Sequence, residues 1–339
     1  MLKIISRSRL LFARLNRSNV IVALVVVITI AVTGSFLILT KAAGIVVVTE
    51  TESGTKSALA KQVADTTASS GQAVKFTRAA PPATGYPDAT NTGYAAAGYS
   101  NLTPHAGGWN INASGVYSGY NVSGTVTISA SNVTLKGCNI HGSTDTHLIT
   151  ITGDNVNIED CDVHGDGPTT AQSPETSWIQ VLSDGVTIKR CNFYNSSGDG
   201  IRRDGNNFTI MDSYLHDWVP HPTNQPHSDG ISEGFDGATD SITIVHNTVL
   251  MYSDYGLTNV VSFAAGPGNA MTNVLVQNNL LAGGGYIFHG GGDTNYNNMT
   301  FSGNVIGTQF FSDGGDYGVM RNPPVWGTKG TSWTNNKWY

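Results

Sequence analysis

The sequence predicts an all-β chain, a right-handed parallel β-helix with an N-terminal transmembrane helix. Three observations carry this expectation. A nine-residue motif recurs along the second half of the chain, apolar residues alternate inside each copy, and one long apolar run near the N-terminus is free of charge.

The motif reads NVTLKGCNI from Asn132, NVNIEDCDV from Asn155, GVTIKRCNF from Gly185 and NFTIMDSYL from Asn207. It continues as SITIVHNTV from Ser241, NVLVQNNLL from Asn273 and NMTFSGNVI from Asn298, and ends as a looser TSWTNNKW from Thr331. One register position runs Cys138, Cys161, Cys191, Ser213, Asn247, Asn279, Asn304, Asn336, in steps of 23, 30, 22, 34, 32, 25 and 32 residues. A minimum near 22 with variable excess describes one structural coil carrying loops of different length. Val133 and Leu135, Val156 and Ile158, Val186 and Ile188, and Phe208 and Ile210 alternate with polar residues, the period of a strand with one buried face. Coils of this kind bury a continuous core only by stacking, and parallel connections are overwhelmingly right-handed. Stacking at ~4.8 Å turns each column into a ladder, so the three cysteines are expected as free, buried thiols and the asparagines as a hydrogen-bonded series.

From Val20 to Thr40 the chain carries no charge, about the ~20 residues that cross a bilayer as a helix. Lys3, Arg7, Arg9, Arg14 and Arg17 precede it, and this bias places the N-terminus in the cytoplasm. A retained anchor over residues 19–40 is the expectation, with a cleaved signal peptide as its rival. The β-helix then lies outside the cell, on a single-pass cell-membrane protein. Beyond the basic segment 1–18, 13 of the chain's 18 Lys and Arg remain against 24 Asp and Glu, a net −11. Nucleic-acid binding, which needs a basic stripe, is excluded as an expectation.

Residues 41–83 are rich in Ser, Thr and Ala and form a stalk; their ESGT and SSGQAVKFT pieces resemble the opening strand of a carbohydrate-binding β-sandwich. Prolines 81, 82 and 87 mark the next boundary. Residues 84–125 are expected to cap the first coil, and residues 126–339 to form the β-helix.

Chemistry concentrates where SGDGIR, from Ser197, and SDGIS, from Ser228, repeat one another. Asp199 and Asp229 are expected to stack in adjacent coils. Two such carboxylates need a proton, a cation or a basic neighbour, and calcium is the cation that oxygen ligands of this kind would take. The loop HDWVPHPTNQPHSDG brings His216, Trp218, His221 and His227 towards them, and a long loop on a rigid scaffold is where binding residues gather. Asp199, Arg202, His216, His227 and Asp229 are the expected catalytic set. Trp218, Arg203 and Glu233 are the expected substrate contacts. Another column, His141, His164, Tyr194 and His216, falls on the outer surface by parity. Tyr252, Tyr255, Tyr286 and His289 extend the candidate side into later coils.

The stretches TGYPDATNTGYAAAGY (84–99), SNVTLKGCNIHG, DSYLHDW, HSDGIS, ITIVHNTV and NNLLAGGGYIFHGGG (278–292) resemble the exported right-handed parallel β-helix proteins of bacteria, broadly the pectate-lyase-like superfold. The likeness covers about residues 84–339 and implies the fold; that superfold hosts lyases, hydrolases, epimerases and adhesins. Catalytic signatures of polygalacturonases, alginate epimerases and typical pectate lyases are missing, the nearest being Pro226-His227-Ser228-Asp229. The functional expectation is a protein that binds a polysaccharide or cell-surface glycan, with cleavage by hydrolysis through paired carboxylates or by β-elimination through Arg or His. A non-catalytic adhesin is the rival. Five converging side chains favour the enzyme, and scattered ones favour the adhesin.

Overall fold

The computed structural model describes residues 60–64, 72–76, 85–166, 176–219, 228–233, 238–253, 257–263, 269–291 and 295–339. They fall in two units, 1–78 and 79–339. In the first, Ala60–Ala64 and Gln72–Phe76 pair antiparallel, with Ala60 opposite Phe76, inside the segment expected as a stalk. Among the described residues no helix is long and apolar enough to cross a membrane. The run from Val20 to Thr40 lies outside them.

The second unit is a parallel β-helix of three sheets, each coil contributing one strand to each sheet in turn. Sheet I runs from Thr103–Ala106 to Lys337–Trp338, sheet II from Trp109–Ile111 to Gly318–Arg321, and sheet III from Gly115–Ser118 to Ser332–Thr334. All pairings are parallel and in register, for example Ile158 between Leu135 and Ile188 in sheet III. The inward residues, including Leu135, Ile158, Ile188 and Ile210, are fully buried.

Each repeat begins where the backbone turns left-handed. Asn132, Asn155, Asn207, Asn273 and Asn298 have φ between 53° and 59°, with Gly185 at 74° and Ser241 at 61° in the same place. The residue before each register position does the same, at Gly137, Asp160, Arg190, Asp212, His246, Asn278, Gly303 and Asn335. Asn and Gly recur there because they adopt this conformation at least cost.

The register column is one ladder. The amide of Cys138 donates to Sγ of Cys161 (3.4 Å), that of Cys191 to Oγ of Ser213 (3.1 Å), and that of Ser213 to Oδ1 of Asn247 (3.0 Å). Asn247, Asn279 and Asn304 pass amide-to-Oδ1 bonds onward to Asn336. The cysteines are free and buried. Unpaired amides at the end of every sheet III strand would be costly inside the core, and this column removes that cost.

The expected boundary at residue 126 is displaced. Thr103–Ala106, Trp109–Ile111 and Gly115–Ser118 already make a coil, and Tyr120–Ser123 begins the next. The repeat is hidden there because Tyr120 occupies the register position opposite Cys138, and Val116, opposite Thr134, faces outward and is exposed. Residues 85–99 do not close the end of the solenoid. They form a strap along sheet I: the Gly85 carbonyl meets Nε2 of His246 (2.6 Å), the Gly93 amide donates to the Arg190 carbonyl (2.9 Å), and Tyr99 covers Gly137. Gly93 has φ +82° and lies so close to Asp162 that a side chain would collide with its carboxyl. The strap's polar backbone finds partners in the outward Asp162 and in the Arg190 turn carbonyl.

Candidate functional site

Along sheet II two outward columns run side by side, three residues apart in each coil. One contains His147, Ser177, Asp199, Asp229, Asn259 and Tyr286; the other contains Thr150, Gln180, Arg202, Ser232, Ser262, His289 and Arg321. Towards the C-terminal end these columns form the wall of an open cleft of about 630 Å³. Asp229, Thr258, Asn259, Ser262, Tyr286, His289, Tyr317 and Arg321 line it, with Leu257 and Gly285.

Asp199 and Asp229 stack in adjacent coils as expected, but as rungs. The amide of Asp229 donates to Oδ1 of Asp199 (2.9 Å). Oδ1 of Asp229 accepts from the hydroxyl of Thr258 (2.5 Å) and from the amide (3.0 Å) and side chain (2.8 Å) of Asn259. Burial raises the Asp229 pKa, while Thr258, Asn259 and Ser262 pull against it through hydrogen bonds. The two carboxyls are thus linked through the Asp229 backbone amide. Among the described residues no group of three or more His, Cys, Asp and Glu side chains could hold a metal ion.

His289 is partly buried, and its neutral form is favoured, first by burial and then by Arg321; Asp229 opposes this. His289 and Arg321 are register neighbours, one strand apart. An imidazole kept neutral beside an exposed guanidinium supplies a proton acceptor next to a site for an anion.

The expected set divides. Asp199, Arg202 and Asp229 share the outer face of sheet II, with Arg202 upstream of the cleft. His216 sits on sheet I, where its Nδ1 lies 2.8 Å from Oδ2 of Asp217 and its Nε2 3.0 Å from Oδ1 of Asn192. Its ring stacks on Tyr214 at 3.9 Å and on Tyr194 at 5.6 Å, continuing the His141, His164 and Tyr194 column as expected. His216 therefore does not join the cleft. His227, His221 and Tyr255 lie outside the described residues.

The expected substrate contacts are corrected. Trp218 is buried and packs on Trp178 at 4.6 Å, so its faces are not offered to a sugar. Arg203 and Glu233 point into the solenoid, 3.7 Å apart and almost inaccessible. Parity explains it: Ile201 and Arg203 face in, Arg202 faces out. Arg203 donates to the Gly205 carbonyl (2.9 Å), and Glu233 accepts from Thr239 (2.5 Å).

Ser262, Asn259, Thr258, Tyr317 and Arg321 are not among the residues that the sequence singles out, whereas Tyr286 and His289 are. The signal for two of them was available: Ser262 and Arg321 stand three residues after Asn259 and Gly318, as Arg202 stands after Asp199.

No family model matches the chain, and no curated protein matches it. Among solved structures it is similar to a tailspike protein of the Acinetobacter baumannii bacteriophage Fri1, a capsular polysaccharide depolymerase, at 11% identity and a TM-score of 0.27. The match covers 64% of this chain and 51% of the tailspike, so it spans about half of that protein's length.

Proposed function

We propose that the cleft on sheet II binds a uronate-bearing polysaccharide and cleaves it by β-elimination. The observation that carries this reading is the pairing of a neutral-biased His289 with Arg321 in an open cleft. Arg321 would neutralise the sugar carboxylate and so acidify the neighbouring C–H. His289 would take that proton, the C–H electron pair would become the new C=C bond, and the bond to the adjacent glycosidic oxygen would break, that oxygen taking a proton from water. Hydrolysis needs two carboxyl groups across the bond, and the carboxylate lining the cleft among the described residues, Asp229, already spends one oxygen on three donors. The apolar run from Val20 to Thr40 supports placing this domain outside the cell on a membrane tether.

The test is incubation of the purified full-length chain with polygalacturonate, alginate and hyaluronate, and with dextran and xylan as neutral controls, with and without calcium. Ultraviolet absorbance of unsaturated uronide and new reducing ends should appear together and vanish in His289→Ala. Reducing ends alone would make it a hydrolase. Binding without either signal would establish the second reading, a non-cleaving surface adhesin, which the separation of His216 from Asp199, Arg202 and Asp229 favours.

A further inference from the structure

The run Gly283-Gly284-Gly285 has no counterpart in the other coils, and the loop it receives explains it. The segment before Gly318 folds back onto this run through backbone hydrogen bonds. Gly283 donates to the Gly314 carbonyl (2.9 Å), Asp316 to that of Gly284 (2.9 Å), and Tyr317 to that of Gly285 (2.8 Å). Gly283 and Gly284 have φ of +92° and +61°, which side chains rarely adopt, and Cβ atoms at Gly283 and Gly285 would press on the Met251 and Thr258 carbonyls. A Cβ at Gly285 would also meet the Tyr317 ring, at 3.2 Å from Cδ2. Glycine thus lets the loop approach closely, and the approach sets Tyr317 at the mouth of the cleft.

Tyr317 is 73% exposed, which a ring serving only the loop's packing would not need. Its ring centroid lies 5.8 Å from that of Tyr286, tilted by 45°, and both line the cleft that holds His289 and Arg321. Aromatic side chains with an apolar face and a polar edge suit ligands of the same mixed character, and a pyranose presents a face of C–H groups rimmed by hydroxyls.

We propose that Tyr317, seated by the glycine run and flanked by Tyr286, is the platform on which one pyranose ring of the polysaccharide stacks beside the reacting unit. Tyr317 positions the polymer and determines specificity for sugars with an unobstructed C–H face. The inference rests on the polysaccharide reading of the cleft. It adds a contact to the sugar ring that is independent of the carboxylate held by Arg321.

The experiment is electrophoresis of the full-length chain through gels containing polygalacturonate, alginate, dextran or xylan. Wild type, Tyr317→Ala, Tyr317→Phe and Tyr252→Ala are compared; Tyr252 is a second exposed tyrosine, stacked on Phe310 and absent from the cleft lining. Tyr317→Ala should weaken retardation about tenfold, while Tyr317→Phe and Tyr252→Ala run as wild type. In the cleavage assay Tyr317→Ala should raise KM by a similar factor and leave kcat within about twofold, the pattern of a contact made equally before and during reaction. Retardation of wild type and Tyr317→Ala alike would overturn the platform and leave the polysaccharide reading standing. Loss in Tyr317→Phe as large as in Tyr317→Ala would overturn it too, because the hydroxyl and not the ring face would then carry the contact. Wild type unretarded in all four gels would overturn both readings together.

Discussion

The backbone amide of Asp229 is held by the carboxyl of Asp199 at 2.9 Å, and Asp229 in turn holds the amide of Asn259 at 3.0 Å. Each side chain thus fixes the start of the next strand of sheet II. Asp229→Ala removes the hydrogen bonds that its carboxyl accepts from Thr258, Asn259 and Ser262 and should cost about 3 kcal/mol, seen as a lower unfolding midpoint. Asp229→Asn keeps an accepting carbonyl oxygen and should cost less than about 1 kcal/mol. The pH dependence separates charge from geometry. Burial raises the folded pKa of Asp229, so its contribution is fully present below the unfolded value and is lost as pH rises through the folded one. The stability gap between wild type and Asp229→Asn should therefore narrow from pH 4 to pH 7. A gap that widens would mean that the carboxylate, and not the carboxylic acid, is the form the fold prefers.

Arg203 and Glu233 form an ion pair inside the solenoid. Burial lowers the Arg203 pKa and raises that of Glu233, each opposing the other's shift. Nε and Nη2 of Arg203 and Oε2 of Glu233 have no hydrogen-bond partner among the described residues. A pair so poorly satisfied contributes little net stability, yet breaking it strands a charge. Arg203→Met alone should destabilise by about 3–5 kcal/mol, whereas Arg203→Met with Glu233→Leu should be neutral or stabilising. Guanidinium unfolding of the two variants decides it, and cleavage by the double variant should match wild type because neither side chain reaches the cleft.

These two cases show what the sequence could and could not reveal. The register column from Cys138 to Asn336 was legible because the same position must satisfy an amide in every coil. The charges at Arg203 and Glu233 suggested an outward facing, and the pleat overruled that: they lie two residues beyond Ile201 and Ile231, which point in. The first coil was illegible because Tyr120 breaks the column. The cleft was half legible. Asp229 was found through a local repeat, but Arg321 is separated from it by 92 positions and only the coil register brings the two together.

The strap over sheet I should respond to pH. Burial pushes Asp162 up to about 6, against hydrogen bonds from the Tyr94 amide and Asn192, and Tyr194 is its near neighbour. Burial would lower His246, but Asp212 and the Gly85 carbonyl hold it above the ordinary imidazole range, with Tyr86 stacked on the ring. Both folded pKa values are raised, so both contributions are complete in acid and fade as pH rises, Asp162's towards pH 6 and His246's beyond its unfolded value. Protection factors for the Gly93 and Tyr94 amides should therefore fall between pH 5 and pH 8. Asp162→Asn should flatten the acidic part of that change and leave the His246 part.

The cleft yields the most direct test of chemistry. His289 must be neutral to accept a proton, so kcat/KM on a uronate polymer should fall as pH drops through its pKa. Burial and then Arg321 lower that pKa, which places the acid limb below the ordinary imidazole value of about 6.5. Arg321→Gln removes one lowering influence and should move the limb to higher pH while raising KM. Asp229→Asn removes the opposing attraction and should move it to lower pH. His289→Ala should reduce kcat by at least about a hundredfold. Opposite displacements from Arg321 and Asp229 identify His289 as the titrating base, because each charge acts on it from its own column of sheet II. An acid limb unmoved by either change would assign the base to another residue.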